Sequence, residues 1–163
     1  MTPEQRRALA AVADRISAYR HVLGGSAMLE AHGIPVEVGD LDLVMEPAAR
    51  AVLDPPPWAS AGPVEAREPF CSEWIFRFEV GGVRVDCIGV MRIRCEGRVV
   101  ELPLRSLGSI EVEGRRVPLA DPADWYHLYR YYRADRAEAI AAVWDPAELA
   151  AAAVRLGLAA EIG

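Results

Sequence analysis

The chain contains no lysine: every one of its 18 basic residues is an arginine. That absence removes the lysine nucleophile, the Schiff-base amine and the phosphate-loop lysine from the available chemistry. Cysteine is scarce as well. Cys71, Cys87 and Cys95 are odd in number and lack metal-ligand spacing, so reduced, partly buried thiols are expected rather than a disulfide framework or a zinc site. No apolar run approaches the roughly 20 residues of a membrane-spanning helix. Residues 1–15 hold no continuous apolar stretch of signal-peptide type, so the expectation is a cytoplasmic protein without a membrane partner. Positive charge is also in deficit. A net charge of −6 argues against holding a long nucleic acid by non-specific electrostatics, although a local arginine patch can still meet a phosphate.

What is present is 163 residues with 52% hydrophobic and 26% charged side chains, the profile of one soluble globular domain. Thr2, Pro3 and Gln5 read as the cap, first position and capping-box closure of a helix whose buried face is Leu9, Val12, Ile16 and Tyr19. A short apolar run at 21–23 meets Gly24 and Gly25. Ser26 then caps a second helix over 27–32, which Gly33 ends. Residues 41–45 alternate as a strand, and Pro47 opens a short helix reaching Leu53.

From Val64 the pattern is β, with hairpin turns at Gly81-Gly82, Glu96-Gly97 and Glu113-Gly114. Asp121-Pro122 opens a helix running to about Val143, with Trp125, Leu128, Tyr129, Tyr132, Ile140 and Val143 inward. Asp145-Pro146 opens a last one, ending near Gly157. The fold class is therefore α/β or α+β, in one domain over 1–163, with a core at about 20–120 and C-terminal helices at about 122–160.

The chemistry centres on Asp40 and Asp42. Both point to one face of the 41–45 strand, and two carboxylates that close repel unless a cation or an arginine lies between them. Reading the Gly81-Gly82 hairpin in register sets Glu79 opposite Arg84 and Arg77 opposite Asp86, so Asp86 joins a polar face. By itself Asp86 is explained by a cross-strand pair with Arg77. Together with Asp40, Asp42 and an upstream Gly-Gly-Ser turn, it makes a constellation for phosphoryl transfer. Mg²⁺ takes hard carboxylate, phosphate and water oxygens, and two ions can serve the attacking and leaving oxygens. Gly24 and Gly25 expose backbone N–H groups for a triphosphate, and Ser26 adds a hydroxyl.

Leu23-Gly24-Gly25-Ser26, then Asp40-Leu41-Asp42-Leu43, then Asp86, resembles the DNA polymerase β-like nucleotidyltransferase superfamily. The nearest likeness is to its small bacterial members, among them the abortive-infection type toxins. The run from Val112 to Asp124, a hairpin leading into a helix, is similar to theirs as well. The resemblance implies a mixed sheet with helices packed on one side. It implies Asp40 and Asp42 as ligands of Mg²⁺, Asp86 completing the site or helping to deprotonate the acceptor, and Gly25 and Ser26 on the nucleotide phosphates.

The implied activity moves a nucleoside monophosphate from an NTP to a hydroxyl of RNA (tRNA included), protein or a small molecule, with pyrophosphate released. The alternative is a nucleotide-binding or regulatory protein of the same fold, one half of a toxin–antitoxin pair. The chain departs from small bacterial members in having Val36 and Val38 where they carry Arg and Thr, and Tyr129 or Arg130 where they carry Lys.

Three other features have two readings each. Arg84 contacts the phosphates or pairs with Glu79. Arg130, Arg133 and Arg136, interleaved with Tyr126, Tyr129, Tyr131 and Tyr132, form a base-stacking patch or simply a solvated helix face. His32 serves as a base or compensates a helix end, His21 reads as an ordinary strand residue, and His127 as a surface or interface residue of its helix.

Overall fold

The computed structural model describes residues 1–158, so residues 159 and 160 of the expected C-terminal span lie outside the described residues. Helix α1 (Pro3–Arg15) starts at a complete capping box: the Gln5 N–H donates to Thr2 Oγ1 at 3.2 Å and the Thr2 N–H to Gln5 Oε1 at 2.8 Å. It ends one turn earlier than its apolar stripe suggests, leaving Tyr19 in the loop before β1 (His21–Leu23). Helix α2 (Gly25–Ala31) is capped by Gly24, not by Ser26, which lies within the helix and is fully buried. Its end is a Schellman motif at Gly33, with the Ile34 N–H bound to the Leu29 carbonyl at 3.0 Å and the Gly33 N–H to Glu30 at 2.9 Å.

Strand β2 (Leu41–Met45) is followed by a short 3₁₀ turn and α3 (Arg50–Leu53), then β3 (Ala59–Pro63), β4 (Trp74–Val80) and β5 (Val83–Gly89). The sequence reading missed β3 and began the β region at Val64, which instead opens the loop at 64–73; β3 is an edge strand with a register shift between Ser60 and Gly62. The hairpins β6 (Arg92–Cys95) with β7 (Arg98–Glu101), and β8 (Ser106–Val112) with β9 (Arg115–Ala120), turn where expected. The main sheet has the order β3-β4-β5-β2-β1-β9-β8 and is mixed: β2 runs parallel to β5 and β1 parallel to β9. One sheet face carries Leu41, Leu43, Val85, Cys87, Phe76 and Phe78, all buried in the core.

The expected single helix after Asp121 is two: α4 (Pro122–Tyr132) and α5 (Ala134–Ala141), broken at Arg133, whose backbone leaves the helical region at φ −146°, ψ 67°. Arg133 then turns its guanidinium onto Asp135 in a two-point pair. Val143 falls beyond the break and is 60% exposed rather than inward. Helix α6 (Pro146–Arg155) closes the described chain and returns Arg155 to Asp121 and Asp124, the cap and first turn of α4.

The same helix pair buries His127, which is therefore not the surface residue expected from the sequence; its Nε2 donates to the Leu149 carbonyl at 2.8 Å. Burial pushes the His127 pKa below 6.5; the Leu149 carbonyl and Asp124 act against this, while Arg130 and Arg155 add to it. A histidine with a depressed folded pKa contributes stability that is lost as pH falls below its unfolded value, about 6.5. The His127 contribution is therefore lost as pH falls from 7.5 to 5.5, and the melting temperature of His127→Gln relative to wild type is expected to rise by roughly a few degrees over that range. An unchanged slope in that variant would remove His127 from the acid response. His32 sits beside Trp144 with its Nε2 on the Ala120 carbonyl at 3.2 Å, a structural placement distant in kind from a general base.

Candidate active site

The site lies on the polar face of β2, β5 and β4, where strand pairing makes three successive rows. Asp42, Asp86 and Arg77 share the middle row. Before it come Arg84 and Glu79, with Asp40 alongside; after it come Val44, Ile88 and Ile75. The pairing of parallel β2 with β5 is what brings together aspartates 44 residues apart, counted from Asp42 to Asp86. Carboxylate oxygens of Asp40, Asp42 and Asp86 all lie within 4.8 Å of one another.

Two of the three are already matched by arginine. Arg77 grips Asp86 with both ends of its fork, Nε to Oδ1 at 2.8 Å and Nη2 to Oδ2 at 2.7 Å. The cross-strand pair and the triad thus coexist. Arg84 pairs with Asp40, not with the Glu79 it faces across the hairpin. Asp42 sits between these pairs. Burial, then the charges of Asp40 and Asp86, push its carboxyl up to about 7, with Arg136 and Arg84 opposing. The centre is short of positive charge.

The two glycines explain how Asp42 is seated. Gly25 has φ +62°, and a Cβ there would lie 2.0 Å from Asp42 Oδ2. A Cβ on Gly24 would lie 2.1 Å from the Trp125 ring. The Gly24 N–H also donates to the Asp42 backbone carbonyl at 2.8 Å. The turn is therefore buried beneath Asp42 and Trp125, and the Ser26 Oγ is buried without a hydrogen-bond partner among the described residues.

A cavity of about 600 Å³ opens over these rows. Helices α4 and α5 roof it with Trp125, Tyr129, Tyr132, Arg133 and Arg136. Arg136 donates to the Tyr129 hydroxyl at 3.2 Å with its guanidinium 5.4 Å from the centre of that ring. Sequence reasoning placed Arg136 on a continuous stripe with Arg130 and Arg133. The break at Arg133 dissolves that stripe: Arg130 is exposed outside the cavity, and Arg133 and Arg136 line it. The patch reading of Tyr129 and Arg136 had no link to the aspartates, and Trp125 was read only as an inward residue; the packing of α4 and α5 over the sheet brings all three to the cavity. Val36 and Val38 pack against the core.

Three carboxylates at this spacing, with one unmatched, are a hard-oxygen donor set of the kind that suits Mg²⁺. Among the described residues no helix is long and apolar enough to cross a membrane. No protein-family model matches the chain, and no curated protein matches it in sequence. Solved structures do. A candidate nucleotidyltransferase from Thermotoga maritima superposes with a TM-score of 0.67 at 23% identity, over 86% of this chain and 92% of that one. The lincomycin-bound lincosamide antibiotic adenylyltransferase LnuA gives 0.46 at 11% identity, over 78% and 84%. The antibiotic-resistance factor ANT(2'')-Ia gives 0.47 at 14% identity, over 98% and 89%. The first of these likenesses shows the fold: a nucleotidyltransferase-type mixed sheet with packed helices.

Proposed function

We propose that the chain transfers a nucleoside monophosphate from an NTP to a hydroxyl acceptor. The observation that carries this is the convergence of Asp40, Asp42 and Asp86 within 4.8 Å under an arginine-lined cavity. In the reaction the acceptor oxygen bonds to the α-phosphorus and its proton passes to solvent. The bond from that phosphorus to the bridging oxygen breaks, and pyrophosphate leaves with the electron pair. Asp40, Asp42 and Asp86 would hold Mg²⁺, one ion or two, which when bound polarises the phosphate oxygens and stabilises developing charge.

The remaining side chains divide the work by charge. Arg77 holds Asp86 in a fixed orientation through both carboxylate oxygens, which suits it to ligation. Arg84 exchanges Asp40 for a phosphate, and Arg136, with a phenol rather than a carboxylate as partner, meets the pyrophosphate end. Gly24, Gly25 and Ser26 lie buried beneath Asp42 and Trp125, with the Gly24 N–H taken by the Asp42 carbonyl, so the turn serves the site by seating Asp42.

Differential scanning of the protein with millimolar Mg²⁺ and each NTP tests the site. Binding at 100 times the dissociation constant stabilises by about 2.7 kcal/mol, so a rise of several degrees that EDTA abolishes is expected. An unchanged melting temperature with every NTP would refute nucleotide binding. A second reading, a nucleotide-binding module acting through a partner protein as in a toxin–antitoxin pair, draws support from the apolar packing of Val36 and Val38 beside the aspartates. It is favoured if NTP binds and no acceptor is ever labelled.

A further inference from the structure

The three rows do more than gather carboxylates; they grade the cavity floor from charged to apolar along the strands. Asp40 and Arg84 lie at one end, and Asp86 and Arg77 lie in the middle. Ile88 and Ile75, paired with each other, lie about 7 Å further on. Beyond them the cavity continues over Met91 to Phe70, which meets Tyr132 of the roof edge-on at 4.9 Å between ring centres. Ile88 and Met91 are buried, and Ile75, Phe70 and Tyr132 are half-buried, so this end has a formed apolar floor and roof, its lining completed by the exposed Glu65 and Arg67.

Resting on the nucleotidyl-transfer reading, we infer that this chamber holds the acceptor, and that the acceptor is a small hydroxyl compound with an apolar, ring-sized body. The attacking and leaving oxygens of phosphoryl transfer lie roughly in line on opposite sides of the phosphorus. Pyrophosphate carries most of the donor's negative charge and belongs at the charged end, near Arg84 and Arg136. The attacking hydroxyl then arrives from the other side of the triad, over Ile75 and Ile88, with its oxygen beside Asp86. A polyanionic body meets Arg77, already committed to Asp86, Arg133, already committed to Asp135, and the exposed Arg67, too few charges to hold a nucleic-acid backbone. A polycation finds one further carboxylate lining the cavity, Glu65. The whole cavity is about 600 Å³, within the roughly 300 to 1,000 Å³ of small-molecule sites, and the nucleotide takes part of it, so the acceptor's share is smaller still.

The test uses the full chain and anilinonaphthalene sulfonate, a fluorescent apolar ring compound, with and without Mg²⁺ and a methylene-bridged ATP that cannot transfer its nucleotide. Saturable dye binding is expected, with a dissociation constant changed less than about two-fold by the nucleotide and weakened roughly ten-fold or more in Ile75→Glu. Ile75 is half-exposed, so the variant should fold; Phe70→Ala, on a surface loop, repeats the measurement with a milder change. In both variants Mg²⁺–nucleotide should still raise the melting temperature. Competition between dye and nucleotide would give the chamber to the nucleobase and overturn the inference. So would dye binding indifferent to both substitutions, or a short oligoribonucleotide labelled equally well by wild type and Ile75→Glu. If Mg²⁺–nucleotide never stabilises the wild type, nucleotidyl transfer itself falls, and the acceptor assignment with it, whatever the dye does.

Discussion

Replacing Asp42 with asparagine is expected to reduce nucleotidyl transfer by roughly a thousand-fold or more, the loss of several kcal/mol of transition-state charge stabilisation. The same substitution should make the metal-free protein more stable. Burial beside Asp40 and Asp86 lifts the Asp42 carboxyl from 3.8 to about 7. Between those pH values the folded chain keeps a proton that the unfolded chain has released. The Asp42 contribution to stability therefore falls as pH rises from about 4 to about 7 and then levels, a cost on the order of a few kcal/mol.

Asparagine is isosteric and uncharged, so this contribution vanishes from the variant. Urea unfolding in EDTA at pH 5 and pH 8 would show a smaller drop for Asp42→Asn and a higher midpoint than wild type at pH 8. Transfer is followed with α-labelled NTPs, Mg²⁺ and a cell extract as the source of acceptor. A variant that is less stable at pH 8, or that still labels acceptor at the wild-type rate, contradicts the placement of Asp42 at the centre.

Gly25→Ala should be nearly as damaging, for steric reasons. The position has φ +62°, which costs an L-residue about 1–2 kcal/mol. The new methyl would also lie 2.0 Å from Asp42 Oδ2, so the carboxylate must move. Gly33→Ala separates the two effects. Its φ is +80°, yet nothing lies within 4 Å of a Cβ there. It should lose only the conformational part, about 1 kcal/mol, and keep its Mg²⁺–NTP stabilisation. Gly25→Ala should lose both stability and that response. Adding Asp42→Ala to Gly25→Ala should cost less than the sum of the single changes, because the clash is already relieved. Additive costs would show that the two residues do not touch.

Much of this site could be read from the chain because its determinants are local. Gly81-Gly82 fixes the hairpin register, and period-two alternation then places Arg77 opposite Asp86 without any tertiary information. Gly33 signals its helix end in the same way. What escaped was set by packing. Nothing at Arg133 breaks a helix by propensity, so the pattern ran on to Val143; the tertiary fold bends the chain there and swings Arg136 over Tyr129. Ser26 has the right side chain for a cap, but Gly24 and Gly25 are needed one step earlier, under Trp125 and Asp42. Arg84 faces Glu79 across the hairpin and still chooses Asp40, which only the parallel pairing of β2 with β5 brings near.

That pairing also sets when the site exists. β4 and β5 close a tight hairpin and form early, whereas β2 must find β5 across the whole 46–82 segment, a contact of high loop-closure cost. Asp40 and Asp42 meet Asp86 only once this long-range contact is made. Cation binding by the three aspartates would therefore report on the whole architecture: no fragment ending before β5 would carry it, and a bound ion would slow escape from the native state rather than protect one local element.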